Sequence, residues 1–120
     1  MEKKTLLAVG ICLMLYVAIA AGDKNKSITV TGWVSDEACG AAHTKPGRED
    51  CVRKCLKGGA DIGHPEWKPQ RMVFVTDTGQ KIWVVENPEA LKGHEGHHLK
   101  ITGQVDTSKK TVHVNEVNAL

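Results

Sequence analysis

Between residues 27 and 34 apolar and polar side chains alternate, with Ile28 and Val30 on one side and Thr29 and Thr31 on the other, before Gly32-Trp33-Val34. A period of two is that of a half-buried strand, and Gly32 marks a bulge or bend in it. The same reading predicts a hairpin from residues 72–76 (MVFVT) and 81–85 (KIWVV), joined by the turn signal Asp77-Thr78-Gly79-Gln80. Residues 99–105 and 112–117 complete a set of five strands, separated by the polar turn at 106–110. Twice the period becomes helical. Residues 48–57 carry Glu49 and Asp50 early, Lys54 and Lys57 late, and Gly58-Gly59 as a stop. At 87–91, Asn87 reads as a cap and Pro88 as the first helical residue, and Gly93 and Gly96 cut that helix short.

Strand, strand, strand, short helix, strand, strand is the order of the OB-fold, a small Greek-key barrel. The expectation is therefore a mainly β domain. It is a five-stranded OB-fold-like barrel with a Cys-containing helical insert between strands one and two and a short helix between strands three and four. An SH3-like barrel or an open meander shares much of this pattern, and the short helix is what favours the OB order. Trp33 and Trp83 sit among apolar strand residues and are expected in the core, whereas Trp67, between Pro65 and Pro69, is expected on the surface or anchoring a loop.

Composition changes the picture only once the first residues are set aside. A basic start at Lys3-Lys4, an apolar run over residues 6–21, the small residues Ala18 and Ala20, and an abruptly polar Asp23-Lys24 form the pattern of a secretory signal peptide. The run is 16 residues long, short for an anchor, which usually needs about 20. The reading is a signal peptide over 1–22 and one domain over 23–120, exported to the periplasm or secreted. Contact with a membrane is expected only through an uncleaved signal segment. The remaining 98 residues hold 14 Lys and Arg against 13 Asp and Glu. So balanced a charge argues against a nucleic-acid partner.

Removing the signal also removes Cys12, leaving Cys39, Cys51 and Cys55. An odd number of thiols in an oxidising compartment means that one is free, bound to a metal, or paired between chains. Cys39, His43, Cys51 and Cys55 follow the spacing Cys-x3-His-x7-Cys-x3-Cys. On a helix, Cys51 and Cys55 would point the same way one turn apart, so with Cys39 and His43 they make a candidate tetrahedral Cys3His set for Zn or Cu. The plainer alternative is a disulfide from Cys39 to Cys51 or Cys55 with one thiol left over. A second and weaker metal candidate is His94, His97 and His98, in the tract Gly93-His94-Glu95-Gly96-His97-His98. Its alternative is a solvated end to the short helix. No nucleophile elbow, phosphate loop or HExxH motif is present, so the protein is not expected to be an enzyme.

Three stretches taken together carry a resemblance: Thr31-Gly32-Trp33-Val34-Ser35-Asp36-x-x-Cys39-Gly40-x-x-His43, then Cys51-x-x-x-Cys55-x-x-Gly58, then His94-x-Gly96-x-x-Leu99-x-Ile101-Thr102-Gly103. The chain resembles a group of small exported bacterial proteins that are uncharacterised single OB-like domains. The resemblance implies bacterial export and a β-barrel, and no activity, substrate or catalytic residue. The leading expectation is an exported binding module for an unknown small ligand, a metal ion or an envelope protein. A disulfide-stapled structural domain of the envelope and a thiol redox or metal-relay protein using Cys51 and Cys55 are its alternatives.

Overall fold

The computed structural model describes residues 24–120. The signal peptide expected over 1–22 lies outside the described residues. Five strands form a closed barrel: β1 (Lys24–Asp36), β2 (Met72–Thr76), β3 (Ile82–Val85), β4 (His98–Asp106) and β5 (Thr111–Ala119). Around the barrel the order is β1-β2-β3-β5-β4, with β4 pairing back to β1. All pairs are antiparallel except β3 and β5, which run parallel. This is the OB-like barrel that the element order predicted.

The closure follows from alternation. Leu99, Ile101, Gly103 and Val105 of β4 point inward between exposed or half-buried neighbours, and Val112 and Val114 of β5 face them from the next strand. Phe74, Leu91, Leu99, Ile101 and Val112 meet in one apolar cluster from which water is nearly absent, and burial of this kind is the main favourable term in folding. A barrel this small brings backbones close together. A Cβ on Gly32 would lie 2.2 Å from the Val75 carbonyl oxygen, so β1 crosses β2 where only glycine fits.

The strands extend further than the alternation suggested, since β1 runs through Ser35 to Asp36 and pairs Asp36 with Met72. Ser35 and Asp36 are both fully buried. Trp33 departs from expectation. It is half-buried beside inward-facing Val34, and it stacks on His98 of the paired strand at 4.6 Å between ring centroids. Successive strand residues face opposite sides, so Val34 takes the core and Trp33 the outside. Trp83 does pack against the core.

The short helix between β3 and β4 is a single 3-10 turn, Pro88–Leu91, that delivers Leu91 into the core. Asn87 does not cap it. Its side-chain amide instead donates to the Val114 carbonyl and accepts from the Val114 N–H, both at 2.8 Å. The insert between β1 and β2 holds a 3-10 turn, Gly40–His43, helix α1 (Glu49–Lys57) and a second 3-10 turn, Ala60–Ile62. Among the described residues no helix is long and apolar enough to cross a membrane.

Candidate metal and thiol site

The site forms where β1 runs out. Glu37 and Arg71 close the neck of the insert: the Glu37 N–H donates to the Arg71 carbonyl at 3.0 Å, and the Arg71 guanidinium reaches the Glu37 carboxylate at 2.8–2.9 Å. That guanidinium holds the Glu37 carboxyl below its ordinary value. Just inside the neck, Asp36 has no exposed surface. A buried carboxylate is costly unless its oxygens are occupied, and both are. The Cys39 N–H donates to Oδ1 at 2.9 Å, and His43 Nδ1 lies 2.9 Å from Oδ2. The hydroxyl of Ser35, also fully buried, donates to the Gly40 carbonyl at 2.8 Å. Together these bonds fold the chain after β1 into a tight turn that presents Cys39.

Helix α1 supplies the other side. Its first turn is acidic and its last turn basic, matching the helix dipole, and Gly58 ends it at φ +82°. Val52 is fully buried and Leu56 packs against the core, so the stripe through Val52, Cys55 and Leu56 faces inward. The Gln70 N–H donates to the Cys55 carbonyl at 2.9 Å and ties the helix end to the chain entering β2. From the opposite side the turn before β4 packs onto the helix start. The Gly96 N–H donates to the Val34 carbonyl at 2.9 Å, and a Cβ on Gly96 would sit 2.6 Å from Glu49 Cα.

These supports bring Asp36, Cys39 and Cys55 together. One carboxylate oxygen and the two sulfurs all lie within 4.8 Å of one another. Burial pushes the Cys55 thiol up to about 11, and the neighbouring charges of Asp36 and Cys39 add to the rise. His43 contributes through Asp36 rather than as a member of this trio.

Cys51, expected beside Cys55, is exposed and outside the group. Four residues along a helix amount to about 6 Å of rise, which leaves Cys51 a full turn from the corner where Cys39 sits. Cys39, Cys51 and Cys55 are free thiols. Among the described residues no disulfide is formed, and the sulfur next to Cys39 is that of Cys55. The histidine tract does not converge. His98 Nε2 lies 2.7 Å from Asp77 Oδ2 while its ring covers Trp33, and the His94 and His97 rings meet edge-on at 5.7 Å. Among the described residues, no other trio of His, Cys, Asp or Glu donors lies as close as Asp36, Cys39 and Cys55.

Asp36 is the member that sequence reasoning missed. Its signal was present in the spacing Asp36-x-x-Cys39, because a carboxylate three residues before an N–H donor can turn the chain onto itself. Beside Cys55 opens a cavity of about 780 Å³ whose walls include Ala38, Lys54, Ile62, Trp67 and Lys68. Trp67 stands 54% exposed, stacked on His64 at 3.8 Å, in line with its expected loop position. No protein-family model, curated protein or solved structure matches this chain.

Proposed function

We propose that this protein is an exported metal-binding module in which Cys39, Cys55 and Asp36 hold one thiophilic divalent cation, Zn or Cu. The observation that carries the reading is the grouping of two sulfurs and a carboxylate oxygen within 4.8 Å, with Asp36 buried, Cys55 half-buried and Cys39 exposed. A tetrahedral ion with Zn–S bonds of about 2.3 Å sets its donors roughly 3.8 Å apart, so small side-chain rotations close the set. Thiolates select soft or borderline ions over Mg and Ca. Each oxygen of Asp36 accepts one bond and keeps a second lone pair for a metal. His43 orients that carboxylate from outside, as partners of metal ligands commonly do.

The test is zinc binding to chelator-treated, reduced protein, followed by equilibrium dialysis and elemental analysis. One equivalent is expected, with proton release and with affinity rising with pH, because metal must displace a proton that Cys55 holds to about 11. Cys39→Ser and Cys55→Ser should abolish tight binding. His43→Ala should weaken it by about 10–100-fold, and Cys51→Ser should leave it intact. Loss of the metal in Cys51→Ser, or its retention in Cys55→Ser, rejects this site.

A further inference from the structure

We propose that Cys39 and Cys55 form a dithiol that reduces an anionic low-molecular-weight disulfide, which it admits through the cavity beside Cys55. Two independent features point there. The first is the thiol pair itself: both sulfurs are free, within 4.8 Å of each other, and unequal in exposure. Cys39, exposed and next in sequence to Ala38 of the cavity wall, meets the substrate first, whereas half-buried Cys55, itself in that wall, is placed to act second. The second is the cavity. Exposed Ile62 and Trp67 make an apolar part of its wall, and Lys54 and Lys68 line it as well. Its two acidic residues are already engaged, Asp61 with Lys57 at 3.2 Å and Glu66 with His64 at 3.0 Å. Among the described residues Lys54 and Lys68 have no acidic partner, and the lining sets Lys54, Lys57 and Lys68 against Asp61 and Glu66, an excess of one positive charge next to a thiol. A disulfide that carries carboxylates complements it.

The exchange balances with the substrate as the only oxidant. The Cys39 thiolate attacks one sulfur of the external disulfide, breaking that S–S bond and releasing the first thiol. The Cys55 thiolate then attacks Cys39 Sγ in the mixed disulfide and releases the second. The products are a Cys39–Cys55 disulfide and two reduced thiols, which take up the two protons the protein gave. Cys51 has no part in it, since helical residues four apart do not bring their Cβ atoms to the ~3.8 Å of a disulfide. The reaction needs no metal, and a metal held by the same two sulfurs would block it.

The experiment uses reduced protein in excess chelator, so that it reads exchange whether or not the site binds zinc. The probes are oxidised glutathione, which is anionic, and cystamine, which is cationic, each normalised to its rate with N-acetylcysteine. The expected result is release of two reduced glutathiones per chain and a disulfide mapped by peptide mass spectrometry to Cys39–Cys55. Cys55→Ser should stop at a glutathione adduct on Cys39, and Cys51→Ser should react as the parent does. On the normalised scale oxidised glutathione should outpace cystamine. Lys54→Ala/Lys68→Ala should erase that advantage, slowing the anionic probe about tenfold. A disulfide mapped to Cys51, an adduct on Cys51 alone, or cystamine matching oxidised glutathione overturns the proposal.

Discussion

Asn87→Ala tests how the barrel closes. Along the parallel β3–β5 seam the Val84 N–H donates to the Lys110 carbonyl and the Glu86 N–H to the Val112 carbonyl. The next bond in that series would run from residue 88 to the Val114 carbonyl, but residue 88 is proline and has no N–H. The Asn87 side chain supplies the missing donor and also accepts from the Val114 N–H, both at 2.8 Å. Val114 is only 4% exposed, so water replaces neither bond well. Each such bond contributes about 1 kcal/mol net, and a buried group left unpaired costs about 1–3. Asn87→Ala should therefore lose roughly 2–4 kcal/mol, or about 10–25 °C in Tm for a domain of this size. Urea and thermal unfolding followed by circular dichroism measure it. Asn87→Asp sharpens the test. Its ionised carboxylate keeps the acceptor but faces the Val114 carbonyl without a donor, and protonation restores the donor. Such a carboxyl titrates above its unfolded value, so the Asp variant should gain on the Ala variant as pH falls from neutrality, with the gain complete by about pH 4. An Ala variant within about 0.5 kcal/mol of the parent, or an Asp variant with no such gain, refutes the bridge.

Two further predictions concern Gly96 and the Asp77–His98 pair. Gly96 has φ +77°, and its Cβ would meet the α1 backbone at Glu49. Gly96→Ala should cost about 2–4 kcal/mol and weaken zinc uptake by displacing the helix that carries Cys55, whereas Gly93→Ala, where a Cβ meets nothing within 4 Å, should cost less. The Asp77–His98 pair predicts a pH dependence. Burial pushes the Asp77 carboxyl up, but the bonds from His98 and Thr31 outweigh it and hold the group below its ordinary 3.8. A depressed carboxyl stabilises the fold above its unfolded value and loses that contribution as pH falls through the folded one. The gap in urea midpoint between the parent and Asp77→Asn should therefore be present at pH 6 and close below about pH 4. It should stay under about 1 kcal/mol, because both side chains are more than a third exposed.

The barrel was legible because alternation and turn chemistry are local. Leu99, Ile101 and Val105 announce an inward face on their own, and Asp77-Thr78-Gly79-Gln80 announces a turn. What could not be read is what depends on a neighbour distant in sequence. Asn87 before a proline looks like a helix cap, and the same amide serves β5 once Val114, 27 residues on, lies beside it. Trp33 looks like core because its neighbours are apolar. Its partner across the strand pair is His98, and the two rings cover each other on the outer face.

The candidate site divides along the same line, and the division bears on mechanism. Sequence spacing ties Cys51 to Cys55, because four residues make one helical turn. In the fold, however, Cys51 is exposed and outside the donor group, and helical residues four apart do not reach the Cβ spacing of a disulfide. The sulfur that can meet Cys55 has to come from another element, and the bond from the Cys39 N–H to buried Asp36 is what fixes where that element turns. His43, four residues after Cys39, closes on the second oxygen of the same carboxylate. The cysteines therefore do not act as a run of three. One pair is assembled across the fold by a buried aspartate, and Cys51 is a surface thiol. Thiol labelling of the folded, reduced protein should accordingly modify Cys51 and Cys39 faster than Cys55, with Asp36→Asn freeing Cys55 as the turn loosens; equal labelling of all three in the parent would show that the corner is not held closed.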